Sequence, residues 1–351
     1  MPSWFHIAAP ILGTLVLALT YFDLFVTVLT VSGAGPVTRR LPPAIWTLAR
    51  LVDRGSERAR ILPYIGMLTL LSIAMTWIVL MWLGWTLVYL ADPWSVVVAR
   101  TGAPVGVGGV AYYVGYSLFT LGLGDYRPQG LTWQLLSVLV SGTGLTMVTL
   151  IITYIVPVIS AAAQRRALAA RITTIGRTPD GILRRAWNGE DFNALGTHLH
   201  NLAQSLVEQA QQHRVYPILS NFHPLDPDLS LTVRLAALDE AVLVLRVAVP
   251  PRARPTDGEL DSFRDSMRML LDVLPGTDPL REGHEPPPPD FGVIAEFGLP
   301  QPARAVTEAA LDSERPHRRL LCSIVLEEGW NWKAVSRDLH PPARHRRGKP
   351  D

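Results

Sequence analysis

Three long apolar stretches dominate the first half of the chain. They run from about Ile7 to Val31, from Ile61 to Ala91 and from Leu131 to Gln164, and the second and third contain no charged residue. About 20 largely apolar residues suffice for a helix to cross a bilayer, whereas amphipathic helices of soluble proteins keep a polar face. The pattern therefore predicts three transmembrane helices. The first stretch lacks the Lys or Arg that begins a signal peptide, so we expect it to be retained.

The apolar bias ends near Gln164, and the rest of the chain is ordinary soluble sequence rich in Arg, Asp, Glu and Pro. The run HEPPPPD at 284–290 predicts a rigid exposed loop, and the basic residues 341–351 predict a disordered tail. Helical patterning recurs at about 190–212, 230–249, 257–274 and 304–340.

The arginines predict how the three helices are oriented. Segment 36–60 carries six of them against only Asp53 and Glu57, and three more follow the third span; the segment between spans two and three holds Arg100 and Arg127. Because cytoplasmic loops carry the excess of Lys and Arg, both basic segments are expected inside. We therefore expect a multi-pass protein of the cell membrane, with its N-terminus outside and its C-terminal domain cytoplasmic. The inside arginines are Arg39, Arg40, Arg50, Arg54, Arg58, Arg60, Arg165, Arg166 and Arg171.

The segment between the second and third spans contains a shorter apolar stretch. Residues 109–119, GVAYYVGYSLF, are about half as long as a span requires, and the string TLGLGD follows them. Non-helical backbone is tolerated at membrane depth only when protein buries it or it lines a wet cavity. Gly122 and Gly124 can adopt conformations closed to other residues, which would let backbone carbonyls and the Thr120 hydroxyl point inward. Such a row of oxygens can bind a dehydrated cation, and the C-terminal end of the short helix favours one.

This arrangement resembles the pore module of potassium channels. An outer helix, a short pore helix, a Thr-x-Gly-x-Gly-Asp string and an inner helix follow one another over about residues 60–165. The usual potassium filter T-V-G-Y-G-D is matched here by Thr120, Leu121, Gly122, Leu123, Gly124 and Asp125. The N-terminal helix and linker, YFDLFVTVLTVSGAGPVTRRL, also resemble those of a group of bacterial ion-channel proteins of this kind.

The resemblance implies a selectivity filter in which a potassium ion is bound at Thr120, Leu121, Gly122 and Leu123. Leu123 stands where the family has Tyr or Phe, so its side chain can fill space behind the filter but cannot donate a hydrogen bond. Selectivity for potassium over other cations therefore stays open. No cofactor is expected, and potassium is the permeant ion.

The implied fold is an all-α membrane protein. It has three transmembrane helices, a re-entrant pore helix with its filter loop, and a mainly helical cytoplasmic C-terminal domain. Each chain has one pore loop and potassium filters use four, so we expect a homotetramer in the lipid bilayer. The expected segments are an N-terminal transmembrane helix at 1–35, a basic cytoplasmic linker at 36–60, the pore module at 61–165, the cytoplasmic helical domain at 166–340 and the tail at 341–351.

Four further residues are candidates for gating or coupling. Gly142 and Gly144 lie near the middle of the third span, where the resemblance implies a hinge and where small residues equally favour close helix packing. Pro157 either kinks this helix at an inner gate or is simply tolerated. Asp23 is the only ionisable residue of the first span, and such a residue is by default a functional candidate. We expect instead that it forms an ion pair with an arginine of the linker.

Other features argue against several classes of protein. The single cysteine, Cys322, permits neither an intrachain disulfide nor a cysteine metal site, and a net charge of +2 gives no reason to expect a nucleic-acid partner. No nucleophile motif is visible, so we do not expect an enzyme. The C-terminal domain has no G-x-G-x-x-G after a strand, and the ligand or partner of this domain is unknown. Surface histidines account for His198 and His200, with a metal or proton sensor as the alternative.

The sequence thus predicts a tetrameric cation channel that conducts potassium passively through the TLGLGD segment. Two other functions stay open. Leu123 favours a non-selective cation channel, and the large helical C-terminal domain favours a membrane-anchored signalling or scaffold protein with a vestigial pore.

Overall fold

The computed structural model of the protein describes residues 4–30, 33–52, 64–274 and 285–338. Helices dominate these residues, and three of them are long and apolar enough to cross a membrane. The prediction of a mainly helical membrane protein is therefore confirmed. The predicted tail at 341–351 and the linker arginines Arg54, Arg58 and Arg60 lie outside the described residues.

The chain forms two compact units. Unit 1 is built from Met1–Ser160 together with Arg214–Phe222, and unit 2 from Ala161–His213 and His223–Asp351. The elements of the first half are α1 (Phe5–Leu29), α2 (Leu41–Val52), α3 (Ile65–Tyr89), β1 (Val96–Val98), α4 (Val107–Leu118), β2 (Tyr126–Pro128) and α5 (Leu131–Ile175). Those of the second half are α6 (Pro179–Ala186), α7 (Ala194–Val215), α8 (Leu231–Ala248), α9 (Asp257–Leu271), α10 (Arg304–Glu327) and α11 (Lys333–Ser336).

Helices α1 and α3 pack side by side in opposite directions through small residues. A Cβ atom at Gly13 would lie 2.6 Å from the carbonyl oxygen of Gly84, so the two backbones approach closely there. Near the start of α1, His6 Nδ1 lies 3.0 Å from the carbonyl oxygen of Leu90, which follows the end of α3. Lipid tails give helices no hydrophobic reason to associate, so such close van der Waals contact supplies much of the attraction.

Helix α4 contacts both α3 and α5. From α3, Trp82 Nε1 donates a hydrogen bond to the carbonyl oxygen of Ala111 at 2.8 Å. From α5, Ser141 Oγ donates to the carbonyl oxygen of Ser117 at 2.9 Å. Strands β1 and β2 flank α4 and form a two-stranded antiparallel sheet in which Val97 pairs with Arg127. The chain therefore leaves α3 through β1, forms α4 and the loop after it, and returns through β2 beside β1.

Helix α5 is longer than the apolar pattern alone indicates. It has 45 residues, about 68 Å at 1.5 Å per residue, and continues from the predicted end of the span at Gln164 to Ile175. It passes through Pro157 without ending. Arginine and alanine, which follow Gln164, are good helix formers, so the loss of apolar character does not end the helix. The last turns contribute Leu168, Ile172 and Ile175 to the core of unit 2.

The core of unit 2 is organised around α8, whose residues from Leu231 to Leu245 are all buried. Two carboxylates lie on this helix. Arg318 of α10 pairs with Glu240 at 2.8 Å, and Arg264 of α9 lies 3.2 Å from Asp239. Removing one partner of a buried pair leaves an uncompensated charge, so these pairs restrict how α9 and α10 can pack on α8.

The helices of unit 2 correspond to the predicted helical segments, with different ends. The segment expected at 190–212 begins at Ala194, after a turn in which Asn188 Oδ1 accepts from the backbone N–H groups of Glu190 and Asp191. The segment expected at 304–340 is two helices rather than one. Helix α10 ends at Glu327, and Gly329 follows with a φ of +85°. Glycine favours a left-handed conformation at this kind of helix end.

Candidate functional site

The loop that joins α4 to β2 has an unusual backbone. Thr120, Gly122 and Gly124 have φ values of +58°, +60° and +81°, so every second residue of the TLGLGD string is in the left-handed region. Thr120 is the one non-glycine residue with a positive φ among those that the structure describes. For a β-branched residue this conformation is a genuine outlier. Backbone strain of this kind costs about 1–3 kcal/mol and concentrates at functional sites.

Hydrogen bonds hold both ends of this loop. At its start, Thr120 N donates to the Ser117 carbonyl at 3.0 Å and Leu121 N donates to the Tyr116 carbonyl at 2.8 Å. At its end, Ala99 N donates to the Asp125 carbonyl at 2.9 Å. The bonds at the start compensate for part of the strain at Thr120.

The middle of the loop makes little contact with the rest of its own chain. Leu121 is 63% exposed and Leu123 51%, and no atom lies within 4 Å of where a Cβ would stand at Gly122 or Gly124. Within one chain, the two glycines are therefore required by their φ angles and not by crowding. Within one chain, the middle of the loop is therefore open on both faces.

The glycines of the predicted hinge have different surroundings. A Cβ at Gly144 would overlap the carbonyl oxygen of Leu118, the last residue of α4, whereas a Cβ at Gly142 would meet nothing within 4 Å. The geometry of Gly144 agrees with the close-packing alternative, because α5 passes directly against the end of α4. Gly142 lies on an exposed face of α5.

Asp23 is fully buried and holds three parts of unit 1 together. Its Oδ1 accepts from the backbone N–H of Val37 at 2.6 Å and of Thr38 at 3.1 Å. Its Oδ2 accepts from Thr38 Oγ1 at 2.6 Å and from Trp77 Nε1 of α3 at 2.8 Å. A Cβ at Gly35 would overlap this carboxylate, so the linker can approach it only as glycine.

The structure shows no ion pair between Asp23 and Arg39 or Arg40, the two linker arginines whose side chains it describes, so the expected pair is not formed by these two. The side chains of Arg50, Arg54, Arg58 and Arg60 lie outside the described part of the chain. Arg39 and Arg40 are exposed, and the carboxylate is surrounded by uncharged donors. Two of these donors are the N–H groups of Val37 and Thr38, at the N-terminal end of the helical segment that continues into α2. Unpaired N–H groups at a helix start are ordinarily capped by a nearby side chain, and here the cap comes from α1.

The buried polar residues of unit 2 that are described next pair with one another and do not line a binding site. Arg165 of α5 pairs with Glu328, whose other oxygen accepts from Thr232 Oγ1 at 2.5 Å. Burial, with a smaller contribution from the charge of Arg165, lowers the pKa of His213 to about 3. The expectation for His198 and His200 is met in that both are exposed. Among the described residues, no three His, Cys, Asp or Glu side chains are grouped to hold a metal.

Two residues near the loop were not singled out from the sequence. The Tyr116 hydroxyl donates to the carbonyl oxygen of Tyr126 at 2.8 Å, and Ser141 anchors the end of α4 to α5. The available signal was a hydroxyl group inside an apolar helix, which normally has a partner when buried.

Comparison with known proteins places the chain in a family. It is 31% identical over 323 residues to the uncharacterized membrane protein YdjJ of Bacillus subtilis (strain 168), and the match covers 92% of this chain and 94% of the relative. No family profile matches the chain. No solved structure matches it significantly. On the strength of the nearly full-length match, the chain belongs to the same membrane-protein family as YdjJ.

Proposed function

We propose that four copies of the chain surround a central pathway and that each contributes residues 120–125 to a filter for dehydrated potassium ions. The observation that carries this proposal is the left-handed backbone at Thr120, Gly122 and Gly124. Leu121 and Leu123, which lie between these residues, do not have a positive φ. A segment in which left-handed residues alternate with right-handed ones gathers its backbone N–H groups on one side. The carbonyl oxygens then lie on the other side, where they can replace the hydration shell of an ion.

The position of α4 supports a loop at membrane depth. The end of α4 meets α5 at Ser141 and Gly144, ten to thirteen residues after α5 begins at Leu131. That corresponds to about 15–20 Å along the helix axis, near the middle of a hydrocarbon core of about 30 Å. Helix α4 is thus a re-entrant pore helix in this proposal, and its C-terminal end faces the cation pathway with partial negative charge.

The open faces of the loop support assembly. Non-helical backbone cannot face lipid, and the loop has little covering from its own chain. Copies of the chain arranged around it would cover Leu121 and Leu123 and would place carbonyls on all sides of the ion. The arginine distribution orients each copy with its N-terminus outside and unit 2 in the cytoplasm.

A non-selective cation channel is the second candidate, and Leu123 favours it. A potassium filter with Tyr or Phe at this place has an aromatic side chain behind the carbonyls, whereas leucine offers no hydrogen-bonding group. A loop held less rigidly would discriminate less between potassium and sodium.

The proposal is tested with purified protein in liposomes, by its mass in detergent and by potassium flux. Gly122→Ala is compared with Gly130→Ala, because Gly130 also has a positive φ, +85°, and open space around its Cβ position. Both changes carry left-handed strain of roughly 1–2 kcal/mol, but only Gly122 lies in the filter. We expect a tetramer in which Gly122→Ala abolishes flux while Gly130→Ala retains it.

Two results would contradict the proposal. One is a stable monomer or dimer as the only species. The other is flux through Gly122→Ala equal to that of the parent, which would make residues 120–125 an ordinary glycine turn.

A further inference from the structure

Tyr116 forms hydrogen bonds with both ends of the loop that contains residues 120–125. Its backbone carbonyl accepts from the N–H of Leu121 at 2.8 Å, near the start. Its side-chain hydroxyl donates to the carbonyl of Tyr126 at 2.8 Å, one residue beyond the end of the TLGLGD string. The distance between the two ends is therefore fixed by one rigid aromatic side chain, which has only two χ angles.

The surroundings of Tyr116 keep that side chain in place. Tyr116 is 6% exposed, and its ring packs edge-on against the rings of Tyr112 and Tyr113, with centroids 5.3 and 5.2 Å away. The Tyr113 hydroxyl is in turn hydrogen-bonded to Ser137 of α5. We call the two hydrogen bonds from Tyr116 to the ends of the loop the clamp. The clamp is thus anchored in the packed helices and not in another part of the loop.

The loop has few other means of keeping its shape. Leu121 and Leu123 are more than half exposed in the chain, and the glycines have no neighbouring atoms at their Cβ positions. Leu123 carries no group that could bond behind the filter. The strained conformation therefore depends on what holds its ends.

We propose that Tyr116 is the positioning residue that sets the spacing of the carbonyls between Thr120 and Gly124 and thereby the selectivity of the filter. The consequence for selectivity rests on the proposed channel function, whereas the clamp itself does not. Tyr116 does not touch the ion. It acts through the two ends of the loop.

Tyr116→Phe tests this, because it removes one oxygen and leaves the packed ring. The control is Tyr112→Phe, on the same helix: Tyr112 is 46% exposed, and its hydroxyl has no hydrogen-bond partner among the described residues. Hydrogen–deuterium exchange over residues 117–126 reports the clamp directly. We expect about five-fold faster exchange in Tyr116→Phe, as for one neutral hydrogen bond of about 1 kcal/mol, and parental exchange in Tyr112→Phe.

Reversal potentials in a potassium and sodium gradient then report the consequence. We expect the potassium-to-sodium permeability ratio to fall about five-fold in Tyr116→Phe and to stay unchanged in Tyr112→Phe. Parental exchange in Tyr116→Phe would overturn the clamp, and so would failure of this variant to assemble. Faster exchange with a parental reversal potential would overturn the role in selectivity. A parent protein that carries no current refutes the channel function separately, and the exchange result still decides the clamp.

Discussion

Asp23 connects α1, the linker and α3 through two carboxylate oxygens that both act only as acceptors. Asparagine at this position keeps the shape but supplies one oxygen and one N–H₂ group, so a donor from the linker or from Trp77 would face another donor. A buried donor without an acceptor costs about 1–3 kcal/mol. We expect Asp23→Asn to lower the thermal midpoint of the purified protein.

The control for this prediction is Asp92→Asn. Asp92 also accepts from a tryptophan ring, Trp133 Nε1 at 3.3 Å, and from the backbone N–H of Trp94, but it is only partly buried. Its replacement should change the thermal midpoint little. Equal midpoints for Asp23→Asn and the parent would show that the buried carboxylate does not hold the three segments together.

The buried His213 should make the stability of unit 2 depend on pH. Its folded-state pKa is about 3, lowered mainly by burial, and its unfolded value is about 6.5. The folded state keeps the ring neutral while the unfolded chain takes up a proton below pH 6.5. The stability is therefore present above pH 6.5 and is lost as the pH falls towards 3, by up to about 1.4 kcal/mol per pH unit.

Thermal unfolding of the full chain in detergent at pH 7 and pH 5 checks this. His213→Gln should lose less stability between the two pH values than the parent. His198→Gln, at an exposed position of the same helix, should lose as much as the parent. Identical pH dependence for His213→Gln and the parent would contradict the assignment.

Residue types alone indicated only part of the loop geometry. Gly122 and Gly124 in a glycine-rich string are expected to adopt positive φ, and both do. Thr120 is not, because a β-branched residue avoids the left-handed region. The hydrogen bonds of the Thr120 and Leu121 N–H groups to carbonyls at the end of α4 help to hold it there. Likewise the uncharged partners of Asp23 come from a turn and a helix that the linear pattern does not bring together.

At the scale of elements, the contact between α4 and α5 yields a matched pair of substitutions. Gly144→Ala would push a methyl group into the carbonyl of Leu118, so the end of α4 must shift. Gly142→Ala meets open space and removes a helix-destabilising glycine, with a gain of about 0.5–1 kcal/mol. We expect Gly144→Ala to lose ion flux and Gly142→Ala to keep a folded, thermally stable protein. If Gly144→Ala conducts like the parent, the close approach of the two helices does not determine the position of the proposed filter.

The exposed hydroxyls of α5 predict which face of this helix meets water. Thr146, Thr149 and Thr153 recur at three- and four-residue spacing on one exposed face. Each hydroxyl bonds the carbonyl four residues earlier at 2.9 Å, an arrangement that either lipid or a pore would tolerate. A water-filled pathway on this face would make cysteines at these three positions react with charged thiol reagents and block flux.

Cysteines at Leu145 and Ile152, on the neighbouring apolar stripe, serve as controls and should stay unreactive. The background is low because Cys322 is buried. Equal protection at the threonine and control positions would place the threonine face against lipid or protein.

The hydropathy of α5 does not distinguish these faces from one another. It also does not distinguish Gly142 from Gly144, because both are small residues in one apolar run.

At the scale of the whole molecule, the sequence indicated the three spans well because bilayer thickness fixes their length. The boundaries of the two units were harder to predict from the sequence. The composition changes at Gln164, but α5 continues as one helix to Ile175, and Arg214–Phe222 belongs to unit 1. Gly66 of α3 packs against Phe222 so tightly that a Cβ there would lie 2.7 Å from the ring. A truncation after Arg171 would therefore remove a part of unit 1, and this contact with it.

In the proposed channel, residues 120–125 of four chains form a potassium filter. The most direct measurement is the reversal potential of the purified protein in planar bilayers, with potassium on one side and sodium on the other. A potassium filter should give a current that reverses close to the potassium equilibrium potential. Absence of current, or a reversal at zero with equal concentrations of the two cations, would contradict it.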